Sequence, residues 1–234
     1  GKIKTRREVK MKEVKVFYNE KSGKNDENEV LNTIKKFFGK EENKASHVEY
    51  INPDSPEDAV RLAKKASQEN TDLVVALGGD GTINKVCGGV FEGGSKSILV
   101  IVPNGTVNNL SKSLHIPQDI EAALQKLNEG KLQKFDIAKV NDDYMISSLT
   151  LGILADIAQN GSSSEKKKFG PFAYLKDAYK VIRHNKSYRI ELKYNGKTKA
   201  LKTKLLLITM TDTIGGRQAL SLDAKVDDGL IRVY

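Results

Sequence analysis

The longest unbroken apolar runs in the chain are two stretches of five residues, 73–77 and 98–102. Runs of that length without polar alternation mark strands of a parallel sheet that is covered on both faces. Around them the pattern alternates between strand and helix periods. Residues 14–18 and 47–51 read as strands. Between these two, after a polar loop at 19–24, Val30, Ile34, Phe37 and Phe38 fall on one face of a helix. Ser55 reads as an N-cap with Pro56 at the first helical position and Asp58 three residues on, and Ala59, Leu62, Ala63 and Ala66 form the buried stripe that follows. A helix from about Ile83 follows the first apolar run. Another, carrying Val107, Leu110 and Leu114, follows the second, and residues 119–128 predict a further helix closed by Gly130. This repeated strand–helix order predicts an α/β, doubly wound parallel-sheet domain over residues 13–130.

The period changes near residue 131. Residues 135–140 and 144–151 read as strands around Asn141-Asp142-Asp143. Residues 188–194 alternate, Asn195-Gly196 marks a hairpin, 199–210 is the return strand and 231–234 begins another. A helix at about 170–183 and a polar loop at 159–168 interrupt them. The expectation is an antiparallel, β-sandwich-like domain over 131–234, incomplete at its C-terminal end.

Composition narrows the class. Hydrophobic residues make up 38% and charged residues 29%, which fits a folded chain rather than a disordered one. Nothing approaches the ~20 apolar residues of a membrane-spanning helix. No signal-peptide pattern is visible, and Cys87 is the only cysteine, so the expected location is cytoplasmic, with peripheral membrane association at work. The net charge of +9 suits an anionic partner such as a nucleotide or an acidic membrane surface. The basic residues are scattered, apart from an arm of Lys2, Lys4, Arg6, Arg7, Lys10 and Lys12 and a run at 166–168. Without an arginine-rich helix or an aromatic-interleaved motif, no specific nucleic acid is expected.

Two glycine loops carry the chemistry. Gly78-Gly79-Asp80-Gly81-Thr82 directly follows the apolar run at 73–77. Ligands of open α/β sheets bind at the carboxyl ends of strands, and glycines there let backbone N–H groups approach a polyphosphate. The start of the next helix favours the same anion, and Thr82 offers a hydroxyl. Asp80 would repel phosphate directly and suits a magnesium ion beside it. Pro103-Asn104-Gly105-Thr106-Val107-Asn108-Asn109 repeats the design after 98–102, so both loops should share one crevice. Other nucleotide and metal motifs fail. Gly196-Lys197-Thr198 imitates the end of a P-loop but has Glu191 where the first glycine belongs. Asn84 takes the place of the third glycine of a dinucleotide fingerprint. His47, His115 and His184 show no metal spacing with Cys87.

With both loops in place the chain resembles the diacylglycerol kinase catalytic-domain family, chiefly the bacterial soluble lipid kinases, with sphingosine kinases related and NAD kinases more distant. Asn19-Glu20-Lys21-Ser22-Gly23 is similar to the family's Asn-Pro-x-Ser-Gly, residues 78–84 to its nucleotide loop, and 105–109 to its Gly-Thr-x-Asn-Asp. Phe135-Asp136-Ile137 resembles the start of its β domain. Asp223-Ala224-Lys225-Val226-Asp227-Asp228-Gly229 is similar to its Ala-x-x-Asp-Asp-Gly loop. The resemblance implies transfer of the ATP γ-phosphate to a lipid hydroxyl with magnesium, on a diacylglycerol-like acceptor. It implies ATP contacts at Asn19, Ser22, Gly23, Gly78, Gly79, Asp80, Gly81, Thr82, Asn84 and Thr106. It also implies a structural magnesium at the Asp228 carboxylate and the carbonyls of Lys225 and Leu230. Read without the resemblance, Asp227-Asp228-Gly229 is a β-turn.

Lys85 stands where the family usually has Glu, Asn109 where it has Asp, and nothing matches the Asp-Gly-Glu segment that carries the family's proposed base, so no base is named. These departures favour a second reading, a catalytically impaired nucleotide-binding regulatory protein of the same fold. A third reading is an electrostatic binder of nucleic acid or membrane surface. An open edge in an incomplete β domain would invite association, a homodimer included.

Overall fold

The computed structural model describes residues 11–19, 27–152, 187–214, 217–218 and 224–234. The expectations placed on the basic arm up to Lys10, on Ser22, Gly23 and Asp223, on the polar loop at 159–168 and on the helix at 170–183 lie outside the described residues.

Four parallel strands, β1 (Glu13–Phe17), β2 (His47–Ile51), β3 (Leu73–Gly78) and β4 (Ile98–Pro103), form one sheet in the order β2-β1-β3-β4. Alternate residues of each strand feed opposite faces. Val14, Val16, Leu73, Val75, Leu77, Val100 and Val102 pack with Val30, Ile34, Phe37 and Phe38 of α1 (Glu27–Gly39) and Leu124 of α5 (Ile120–Gln125). Phe17, Val74, Ala76 and Ile101 face the other way. They meet Ala63 and Ala66 of α2 (Pro56–Gln68), Ile83 and Val86 of α3 (Asp80–Glu92), and Leu110 of α4 (Asn109–Ser113). Cover on both faces is the physical cause of the unbroken apolar runs. The Ser55 hydroxyl accepts the Asp58 N–H at 3.1 Å, as its spacing predicts, and Asp119 caps α5 by accepting the Ala122 N–H at 2.8 Å.

Three boundaries differ from the expectation. α3 begins at Asp80 rather than near Ile83, because the Gly79 carbonyl already accepts the Ile83 N–H at 3.1 Å. α4 is a single short helix that leaves Val107 outside. The span 119–128 divides into α5 and a 3-10 turn, Lys126–Glu129, which Gly130 closes at φ 61°.

The chain divides into two compact units. The first comprises Gly1–Ser147 with Met210–Gly229, the second Ser148–Thr209 with Leu230–Tyr234. The sequence changes period near 131, yet the hairpin β5 (Ala138–Val140) and β6 (Asp143–Met145) stays with the first unit. Tyr144 holds it there: its carbonyl accepts the Asn84 amide at 2.8 Å, and its ring meets Phe91 edge-on at 5.6 Å. The expected strand at 144–151 therefore splits into β6 and β7 (Ser148–Gly152), which belong to different sheets. A two-residue pair, β11 (Thr213–Ile214) and β12 (Arg217–Gln218), also lies in the first unit.

In the second unit β7, β10 (Leu205–Thr209) and β13 (Arg232–Val233) form an antiparallel sheet in the order β13-β10-β7. β8 (Tyr188–Tyr194) and β9 (Lys197–Thr203) form a hairpin turned by Asn195 and Gly196, both at positive φ (47° and 73°). The expected return strand at 199–210 breaks at Lys204. There the Thr203 hydroxyl donates to the Leu205 carbonyl at 2.6 Å and accepts the Leu205 N–H at 3.1 Å, bonds that compete with a continuous ladder. The fold is thus mixed α/β, a parallel four-stranded sheet with separate antiparallel sheets.

Candidate functional site

β3 and β4 stay in register to their last pair, Gly78 with Pro103, and both run straight into the glycine loops. Gly78 has φ 155°, and a Cβ on it would sit 2.8 Å from the Thr82 Cβ, so a side chain is excluded. The Asn104 N–H donates to the Gly78 carbonyl at 2.8 Å. A Cβ on Gly105 would lie 2.5 Å from the Gly79 Cα and 2.7 Å from the Asn108 Oδ1. The two loops therefore pack backbone to backbone, as a shared crevice requires.

Asn108 folds the second loop. It adopts φ 56°, its Oδ1 accepts the Gly105 N–H at 3.0 Å, and its Nδ2 donates to the Gly105 carbonyl at 2.9 Å and to Gln118 Oε1 at 3.0 Å. Sequence reasoning did not assign it this role. The signal available was an asparagine three residues after the loop glycine.

A cavity of about 700 Å³ opens beside these loops. Its wall takes Tyr18 and Asn19 from the end of β1, residues 52–56 from the end of β2, and Gly79, Gly81, Thr82, Lys85, Gly105 and Thr106. The ends of β1 and β3, where the strand order reverses direction, thus both reach the cavity, and that switch point is where open α/β sheets bind ligands. Of the expected nucleotide contacts, Asn19, Gly79, Gly81, Thr82 and Thr106 line it. Gly78 lies beneath as the buried turn, and Asp80 and Asn84 are not on the wall. Asn84 instead ties α3 to β6 through the Tyr144 carbonyl. Gly81 is exposed, and a Cβ added there meets nothing within 4 Å.

Lys85, one helical turn beyond Gly81 and Thr82, is the only basic side chain on the cavity wall among the described residues. It forms an ion pair with Asp143 of β6, and the hydrogen bond from Lys85 holds the Asp143 carboxyl below its usual range. Nearby, the Glu57 carboxyl is also lowered, first by its own backbone N–H, then by the Ser55 hydroxyl, with the Lys85 charge adding to both.

The Asp80 Oδ1 is buried and has no hydrogen-bond partner. Among the described residues no group of three or more His, Cys, Asp or Glu is placed to hold a metal ion. Magnesium beside phosphate commonly takes one or two carboxylates and completes its shell with phosphate oxygens and water, and the unpartnered Asp80 Oδ1 beside the first glycine loop is a donor of that type.

The Asp227-Asp228-Gly229 segment forms a turn. The Asp228 carboxylate accepts the Lys225 N–H at 3.1 Å. Asp136, 93 residues away, clips the turn in place: its carboxylate accepts the Gly229 N–H at 2.6 Å, and its own N–H donates to the Val226 carbonyl at 2.7 Å. Leu230, the next residue, is exposed.

Comparison with known proteins matches residues 13–140 to the family model described as the diacylglycerol kinase catalytic domain. Diacylglycerol kinases of Staphylococcus aureus strains JH9 and Newman are 36% identical over 172 residues, which is 74% of this chain and 55% of each of theirs. The chain thus spans about half the length of these curated relatives. The crystal structure of a diacylglycerol kinase from Bacillus anthracis str. Sterne superposes with a TM-score of 0.73 at 22% identity, covering 97% of this chain and 74% of that one. At that identity the likeness concerns the fold.

Proposed function

Since this chain belongs to the diacylglycerol kinase catalytic-domain family, we propose that it supplies the nucleotide site of an ATP- and magnesium-dependent lipid kinase whose acceptor is a diacylglycerol-like hydroxyl. The observation that carries this reading is the backbone contact between the Gly79 and Gly105 loops on the wall of the 700 Å³ cavity. Phosphoryl transfer asks a protein mainly for positioning and for neutralising charge. In this reading the start of α3 and the loop N–H groups bind the phosphates, and Thr82 and Thr106 orient them with their hydroxyls. Asp80 holds magnesium, which when bound neutralises charge on the transferring group. The turn at Asp228, with the Lys225 and Leu230 carbonyls, is proposed as a second, structural magnesium site. The lipid acceptor places the protein's work at a membrane surface.

Gly81→Val is the direct test. No protein atom lies where the new side chain would begin, so the variant should fold, while its branched side chain occupies the phosphate approach. Calorimetric ATP affinity should fall at least about tenfold, the value of one charge-assisted hydrogen bond. Unchanged affinity in a folded variant would overturn the site. Lys85 and Asn109 favour the second reading, a nucleotide-binding regulatory protein. Tight ATP binding without phosphate transfer to diacylglycerol dispersions would select it.

A further inference from the structure

We propose that Lys85 is a phosphate-binding cation of this site, its ammonium parked on Asp143 until a nucleoside polyphosphate enters the cavity. The inference rests on reading the cavity as a nucleotide site, and it adds the group that distinguishes polyphosphate from monophosphate. A polyphosphate needs compensating positive charge, and Lys85 alone supplies it from a side chain on the wall among the described residues. It is placed one turn along α3 from Gly81 and Thr82, on the face those residues share. Its side chain is 26% exposed, neither fully buried nor fully solvated.

The partner is fixed in advance. Asn84 of α3 bonds the Tyr144 carbonyl, and the Tyr144 N–H donates to Asp143 Oδ1 at 2.8 Å. Those bonds orient the carboxylate, leaving its Oδ2 to hold Lys85. The Asn84 bond also joins α3 to β6 without help from Lys85. A partly exposed ion pair adds little to stability, so fastening the hairpin does not account for a lysine on this wall. Holding an ammonium beside the phosphate loop does. The carboxylate keeps the flexible side chain ordered, and the phosphate then takes over its charge at small entropic cost.

The experiment titrates the full chain, with magnesium in excess, with ATP, ADP, AMP and adenosine, for the unchanged protein and for K85M, K85R and D143N. K85M should weaken ATP about tenfold or more, ADP less, and AMP and adenosine by less than about twofold. K85R should retain most of the ATP affinity. D143N breaks the same ion pair but keeps the cation, so ATP affinity should stay within about threefold. Three results overturn the inference while leaving the nucleotide site intact: unchanged ATP binding by K85M, equal losses for all four ligands, or equal losses in K85M and D143N. Failure of the unchanged protein to bind ATP overturns the inference and the nucleotide reading together.

Discussion

At the scale of single residues, Asp80 carries a local cost that the proposed magnesium ion would offset. A buried carboxylate oxygen without a partner costs about 1–3 kcal/mol, and nothing among the described side chains offsets it. Asp80→Asn keeps the shape and removes the charge. Its melting temperature should match or exceed that of the unchanged protein, while magnesium should no longer strengthen ATP binding. A lower melting temperature with magnesium dependence intact would make Asp80 a structural turn residue. Residue roles were legible in the sequence only where they depend on near neighbours. The Ser55 cap and the turn glycines Gly78 and Gly105 announce themselves through adjacent residues. The Asn84 bond to the Tyr144 carbonyl does not, because its partner lies 60 residues on. Asp136 and the Lys85–Asp143 pair were hidden for the same reason, with partners 93 and 58 residues away.

At the scale of elements, α3 joins the two functions of support and site. It packs on α2 closely enough that a Cβ on Gly89 would stand 2.4 Å from the Val60 carbonyl oxygen and 2.7 Å from the Ala63 Cβ. Gly89→Ala gains roughly 1 kcal/mol of helix propensity. The collision is with backbone, however, and overpacking typically costs about 1–3 kcal/mol, so the substitution should destabilise the protein by about 1 kcal/mol. Urea unfolding checks this, and a gain in stability would mean that α2 yields more easily than its packing indicates. Gly79 and Gly81 hid the start of α3 from propensity, which is why the sequence placed it near Ile83 although the helix begins three residues earlier. β3 and β4, by contrast, stand out in the sequence because cover on both faces permits no polar position. The breaks at Ser147 and Lys204 were not legible, since short polar stretches such as Ser147-Ser148 and Lys202-Thr203-Lys204 also occur within half-exposed strands, and the change of sheet is a tertiary event.

At the scale of the whole molecule, net charge bears on the proposed work at a membrane surface. No helix among the described residues is long and apolar enough to cross a membrane. In the proposed reading, a chain carrying +9 would reach a membrane-held acceptor by surface attraction. Pelleting with vesicles containing anionic phospholipid should retain the protein at low salt. Retention should fall steeply as salt rises toward ~1 M, where the screening length is ~3 Å. Equal retention on zwitterionic vesicles, or retention indifferent to salt, would rule out an electrostatic contact.

The close seating of Gly105 against Gly79 also makes the two loops epistatic. A Cβ on Gly105 would stand 2.5 Å from the Gly79 Cα and one on Gly79 3.3 Å from the Gly105 Cα, so a side chain gained by either loop pushes on the backbone of the other. A new ligand preference is therefore reached more readily around the seam, at cavity positions such as Asn52, Thr82 and Thr106 that already carry side chains. The seam itself acts as an inherited constraint on which mutational routes are open.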